Sequence, residues 1–312
     1  MEIILLGNVV THLYLGLNAV LRASGHPKQA MYATIATVAI NTILAPIFIF
    51  MFDWGIRGAA IATVSAQVIA LLWQLKQFNN ANELLHFRRG IFRLKRKIVF
   101  DSLAIGMSPF LMNLAACLIV ILINQGLKKY GGDLAIGAFG IVNRLVFIVV
   151  MIVMGLNQGM QPIAGYNFGA KLYDRVNKVL KLTIIYATCV TTFGFLVGML
   201  APNLVVGIFT SDAELTELSA TGLRITVMFF PIIGFQMVTS NFFQSIGMAG
   251  KAIFLSLTRQ MLILLPCLLI LPHFFGVAGV WYSMPVSDLL ASLIALVMLV
   301  YQFRKFKTAA AH

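Results

Sequence analysis

The chain has 312 residues, 60% of them hydrophobic and only 11% charged, with a mean hydropathy of +0.92. Soluble domains average about 25% charged residues, so this composition excludes an ordinary soluble fold and predicts an all-α protein that crosses a membrane many times. A net charge of +13 invites a nucleic-acid reading, but the basic residues sit in alternate short loops, the positive-inside pattern of a spanning protein.

A spanning helix needs about 20 mostly apolar residues. In chain order nine stretches qualify: residues 2–24, 29–51, 56–78, 101–127, 134–162, 180–202, 218–246, 252–272 and 277–302. The first carries Glu2, with no basic leader region and no small-x-small cleavage site, so it reads as a retained span. Turn chemistry separates the runs: Gly25-His26-Pro27, Asp53 to Gly58, Gly131-Gly132, Pro202-Asn203, Gly247 to Gly250 and Pro272-His273. Cys117, Cys189 and Cys267 each lie inside an apolar run and read as small packing residues. The link 79–100 carries Arg88, Arg89, Arg93, Lys95, Arg96 and Lys97 and is expected on the cytoplasmic side.

Counting Lys and Arg in alternate loops sets the orientation. One side gathers Arg22, Lys28, Lys76, the six just named, Lys171, Arg175, Lys178, Lys181, Lys251, Arg304, Lys305 and Lys307. The other has Arg57, Lys128 and Lys129, beside the acidic Asp212, Glu214 and Glu217. Seventeen against three predicts a cytoplasmic C-terminus, and nine spans then leave Met1 outside. A faint internal repeat aligns residues 1–25 with 223–247, Gly55-Ile56-Arg57-Gly58-Ala59 with Gly276-Val277-Ala278-Gly279-Val280, and Ala70 with Ala291. Repeats in the same membrane orientation suggest two bundles related by an axis along the membrane normal.

The stretch Gly155–Lys171, GLNQGMQPIAGYNFGAK, interrupts this apolar pattern with four glycines, Pro162 and the amides Asn157, Gln158, Gln161 and Asn167. Unpaired polar groups are costly in hydrocarbon, so the stretch reads as the end of a spanning helix that opens into a polar space. Its run from Gln158-Gly159 through Gln161-Pro162-Ile163 and Gly165-Tyr166-Asn167 to Gly169-Ala170 resembles the loop after the eighth helix of multidrug and toxic compound extrusion (MATE) transporters. Gly106-Met107-Ser108-Pro109, Asn124 to Gly131, and Ser256–Pro266 with Arg259 are also similar to that family. The resemblance implies a partial two-bundle architecture. Residues 1–78 would be helices four to six of the family pattern, the second half of the N-terminal bundle. Residues 79–100 would be a basic cytoplasmic linker, 101–303 the complete C-terminal six-helix bundle, and 304–312 a basic cytoplasmic tail. Helices one to three have no counterpart here, which leads to the expectation of a truncated chain, an alternative start or a fragment.

The residues that could carry chemistry are few. No G-x-x-x-x-G-K-[ST], H-E-x-x-H or C-x-x-C occurs, and His12, His26, His86, His273 and His312 read as interfacial or loop histidines, so neither an enzyme nor a metal site is expected. Ionisable residues inside spans are functional candidates by default, which singles out Asp288, Arg144 and Arg259, with Arg224 nearer an edge. Asp288 lies 12 residues past Gly276, about 18 Å from the outer surface at 1.5 Å per residue. Arg259 lies at similar depth from the other side, so three readings stay open: a structural Asp288–Arg259 pair, a coupling or substrate carboxylate, and a solvated wall. Arg144, near mid-membrane, would pin helices together or answer a carboxylate. The amides Asn113, Asn124, Gln125, Gln158, Gln161, Gln236 and Gln67 suggest a polar cavity wall, or simply interhelical hydrogen bonds worth about 0.6 kcal/mol each. One branch of the family carries Asn-x-x-x-Asp before a Pro in its fifth helix. Here the pattern is Asn41-Thr42-Ile43-Leu44-Ala45-Pro46: Asn41 matches and Ala45 stands where the Asp would be. The Glu that another branch carries in its seventh helix is lacking too, since no carboxylate lies between Ser102 and Leu127.

The function that the resemblance implies is secondary active efflux across the cell (inner) membrane. An antiporter would export cationic amphipathic molecules or drugs in exchange for Na⁺ or H⁺, with no other cofactor, by rocking one bundle against the other. Pro109, Gly155, Gly159 and Pro162 would act as hinges. The expected partners are the cationic substrate, the lipid bilayer and the missing N-terminal helices supplied from another segment, with no nucleic acid. The alternatives are a lipid-linked precursor flippase of the same superfamily, whose cavity should be richer in cations, and a non-transporting membrane protein.

Overall fold

The computed structural model describes residues 2–80, 86–87 and 94–310. Among the described residues every regular element is helical. In chain order these are α1 (Glu2–Ala23), α2 (Pro27–Met51), α3 (Gly55–Phe78), α4 (Arg96–Gly169), α5 (Tyr173–Leu200), the short α6 (Pro202–Val206), α7 (Ala213–Val227), α8 (Phe230–Ser245), α9 (Ala249–Phe275) and α10 (Val277–Ala310).

Among the described residues seven helices are long and apolar enough to cross a bilayer, and the bent pair α7–α8, taken as one span, brings the crossings to eight. At 74 residues α4 would be about 111 Å long, several times the thickness of the hydrocarbon. It divides at Gly132, whose φ of 69° and ψ of −163° lie outside helical space. Counting its two limbs, residues 96–131 and 133–169, the described residues hold the nine crossings that the apolar runs predict. Phe193, Leu200 and Val297 are exposed at 69%, 80% and 69%, as a lipid surround requires.

The chain separates into two compact units, Met1–Lys95 and Arg96–His312. In the first, α1, α2 and α3 pack pairwise around Tyr14, Ala33, Ala70 and Leu71. Their polar residues pair between helices: Thr11 Oγ1 donates to Gln67 Oε1 at 2.6 Å, and Asn18 Nδ2 donates to the Ala30 carbonyl at 2.9 Å. In the second unit α8 is central, touching α4, α5, α9 and α10. One core gathers Phe139, Val142, Leu223, Val227, Phe230 and Trp281, and another gathers Val153, Leu180, Val238, Phe242, Phe243 and Leu255. Gly222 of α7 admits the Trp281 ring so closely that an added Cβ would sit 2.6 Å from it.

The repeat reappears as backbone geometry. Gly25 and Gly247 have φ of 90° and 76°, and Gly55 and Gly276 have φ of 50° and 56°, at aligned positions that only glycine adopts cheaply. Gly58 and Gly279, also aligned, each lie against a carbonyl of the preceding helix, that of Phe48 and that of Leu271.

The structure corrects several expected boundaries. The stretch 155–169 does not open into a loop; α4 stays helical through Gly169, and Lys171, with φ 58°, ends the turn. Two of its amides are satisfied without leaving the helix: Asn167 Nδ2 bonds back to the Ile163 carbonyl at 2.8 Å, and Gln161 reaches Asn241 of α8, while Gly165 lets the Ser245 carbonyl approach to 2.9 Å of where a Cβ would stand. The run 218–246 is not one rod but α7 and α8, bent by 55°. Pro231 has no N–H to return to the Val227 carbonyl, so the helix breaks just before it. Helices α2 and α9 widen to π geometry at Ile47–Met51 and Thr258–Leu264, each next to a proline, Pro46 and Pro266. The first turn of α4 takes in Arg96 and Lys97 from the expected linker, and α10 takes in residues 304–310 of the expected tail. Arg88, Arg89, Arg93 and His312 lie outside the described residues.

Candidate functional site

A cavity of about 640 Å³ lies inside the second unit, walled by α4, α7, α8, α9 and α10. Apolar side chains such as Phe139, Phe230, Met112, Met154, Met237 and Met284 form much of its lining, and amides and hydroxyls are set among them. Among the described lining residues the two charged ones are Arg259, from the π-helical stretch of α9, and Asp288 of α10. Arg259 Nε donates to Asp288 Oδ1 at 2.7 Å; the arginine side chain is 32% exposed and the aspartate 5%. A π turn inserts an extra residue into the helical register and turns the following side chains about the axis, a common device at functional sites.

Most of the predicted amides come together at this wall. Asn113, Gln158, Gln161 and Gln236 all line the cavity, as does Pro109. Gln161 Nε2 donates to Asn241 Oδ1 at 3.3 Å, linking the second limb of α4 to α8, and Asn113 Nδ2 donates to the Pro109 carbonyl at 2.9 Å. Ser240 and Ser256 share a buried hydrogen bond of 2.9 Å between α8 and α9. The other candidates lie elsewhere. Asn41, in the first unit, donates to Thr63 Oγ1 at 3.0 Å. Asn124 is half-buried away from the lining, and Gly155, Gly159 and Pro162 do not reach it either. Arg144, expected to meet a carboxylate or pin helices, is exposed and forms no ion pair among the described residues. Its neighbour Asn143 takes the cavity-facing position, and the next residue along a helix points about 100° away.

The sequence reading missed Asn157 as a site residue. It is 2% exposed, lines the cavity, and neither of its amide atoms has a hydrogen-bond partner among the described residues. Gln260 Oε1, next to Arg259, is likewise buried without a partner. Asn241 and Gln244 of α8 also line the cavity and were not singled out. A signal for them was present. Gln236, Ser240 and Gln244 recur every four residues along α8, and Asn157 precedes Gln161 by the same interval, so each set shares one helical face. Among the described residues no group of three His, Cys, Asp or Glu side chains converges as a metal site would need.

A family model described as MatE matches residues 105–269. The multidrug export protein MepA of Staphylococcus aureus (strain MSSA476) is 29% identical over 287 residues, covering 91% of this chain and 62% of the relative. The chain thus spans about six-tenths of the length of such relatives. The solved structure of the MATE multidrug transporter DinF-BH is 35% identical with a TM-score of 0.87, covering 97% of this chain and 68% of that one. A MOP superfamily transporter from Pyrococcus furiosus shares the fold at a TM-score of 0.90 and 22% identity, covering 98% of this chain and 69% of that one.

Proposed function

The chain belongs to the MatE family of membrane transporters, and from that premise we propose that it serves secondary active efflux of amphipathic small molecules, cations among them, in exchange for Na⁺ or H⁺. The observation that carries this reading is a bilayer-depth cavity with an apolar and amide wall and one carboxylate, Asp288. Apolar and methionine-rich walls adapt to ligands of varied shape, while a buried carboxylate supplies the one strong attraction for a cation or proton. Asp288 would take the ion or the positive group of the cargo in turn on the carboxylate oxygen that Arg259 leaves open, with Asn113, Gln158, Gln161 and Gln236 as hydrogen-bonding partners and Arg259 holding the other oxygen. Bending at Pro109, Gly155, Gly159 and Pro162 would let the wall move between inward and outward access, with the C-terminus in the cytoplasm. The flippase alternative calls for a cation-rich cavity. Arg259 is the one basic residue among the described lining residues, and its charge is met by Asp288, so nothing favours that alternative.

Cation-dye efflux from cells expressing the chain, with Na⁺ and pH varied separately, tests the reading. The expected result is efflux that Asp288→Asn abolishes while the protein still reaches the membrane, with the driving gradient naming the ion. Absence of efflux from both forms, each inserted in the membrane, would favour a non-transporting chain.

A further inference from the structure

The contact between Arg259 and Asp288 uses one N–H and one oxygen, Nε to Oδ1. The two Nη groups of the guanidinium and Oδ2 of the carboxylate have no other partner among the described residues, and both side chains line the same cavity. One carboxylate oxygen and four of the five guanidinium N–H donors are therefore unused at the wall of a ligand-sized space. These two are also the charged residues of the described lining, so the cavity is formally neutral and prefers neither sign at long range.

The cost of separating the pair decides which ligand fits. A simple cation could take Asp288 only by displacing Arg259, leaving a guanidinium with no carboxylate in a poorly hydrated site, or by sitting beside a like charge. Either is costly, because breaking a buried pair leaves an uncompensated charge. A simple anion meets the mirror problem at Asp288. A molecule with an ammonium and a carboxylate close together meets neither, since its ammonium can sit on Asp288 Oδ2 and its carboxylate on the Arg259 Nη groups. The protein pair then stays intact and four charges alternate in sign, with the planar fork of arginine suited to two parallel bonds. Asn157, buried with both amide atoms unpartnered, offers a donor and an acceptor to a further polar group, and the Met and Phe wall suits an apolar body.

We propose that the cavity of the second unit binds amphipathic zwitterions, with a paired ammonium and carboxylate seated on Asp288 and Arg259 and an apolar body against the methionines. This rests on the exporter reading and narrows its substrate class. Three dansyl compounds of matched length separate the charges: dansylcadaverine carries only the ammonium, dansyl-ε-aminocaproic acid only the carboxylate, and Nε-dansyl-lysine both. Their equilibrium binding to the full chain in lipid nanodiscs is read from dansyl fluorescence and polarisation. Nε-dansyl-lysine should bind about tenfold more tightly than either singly charged compound, the increment of one further charge-assisted hydrogen bond. Arg259→Gln should erase its advantage over dansylcadaverine, and the uncharged double variant Arg259→Gln/Asp288→Asn should bind all three alike. The wild-type comparison needs no substitution, so it stands even where a single variant misfolds. Dansylcadaverine binding as tightly as Nε-dansyl-lysine to the wild type would overturn the proposal while leaving the exporter reading in place. A zwitterion preference that survives in the double variant would overturn it too. No dansyl binding at all, by protein shown to be helical and monodisperse, would overturn both.

Discussion

Asp288 and Arg259 reach each other from α10 and α9, and their contact is a stability statement as well as a chemical one. Removing either partner alone should lower the midpoint of thermal unfolding in detergent, because the survivor keeps its charge without a counter-charge. The loss should fall below the roughly 3–5 kcal/mol typical of fully buried pairs, since Arg259 is 32% exposed. Arg259→Gln/Asp288→Asn should lie closer to the wild type than either single variant, and additive losses would contradict the coupling. Asn157 should behave in the opposite sense. Its two unpartnered amide atoms already bear a desolvation cost of about 1–3 kcal/mol, so Asn157→Leu should hold or raise thermal stability while weakening dye binding. A drop in stability with unchanged binding would assign Asn157 to the fold instead. The depth count from Gly276 brings Asp288 and Arg259 to one level from sequence alone. Which amide stays unpartnered was not legible there, because the partner of Gln161 is Asn241, 80 residues away on α8.

At the scale of the helix, the apolar runs announce the spans, and their breaks depend on single residues. The limb division at Gly132 was legible from Gly131-Gly132. The α7–α8 break was not, since Pro231 can open a helix as readily as interrupt one, and packing decided. The run of amides and glycines at 155–169 misled for a related reason. A helix tolerates polar residues at depth when its own turns and a neighbouring cavity satisfy them, as Asn167 and Gln161 do here. An added Cβ at Gly155 or Gly159 meets open space, so alanine there should stabilise the helix by about 1 kcal/mol per site. Higher thermal stability together with slower dye efflux in Gly155→Ala/Gly159→Ala would identify the hinge; unchanged efflux would make these glycines passive. Gly222→Ala should go the other way. The same propensity gain is outweighed by a Cβ at 2.6 Å from the Trp281 ring, for a net loss of about 1–3 kcal/mol seen as a lower unfolding midpoint.

Across the whole molecule, the alternation of basic and acidic loops carries an orientation prediction. A fluorescent protein that matures only in the cytoplasm should light up when fused after α10, and alkaline phosphatase, active only outside, should be active when inserted near Asp212. The reverse pattern would invert every statement about inward and outward access. The internal repeat was legible from glycine spacing because positive φ is a demand few residues meet, whereas the cavity was not, being assembled from helices far apart in sequence. In an energised membrane the neutrality of the cavity has an electrical consequence. Each unpaired elementary charge carried through the full field costs or releases about 2.3 kcal/mol per 100 mV, but Arg259 and Asp288 travelling as a pair carry none. The wall is then silent to voltage, and under the proposed exchange any current would meter the cargo and its counter-ion.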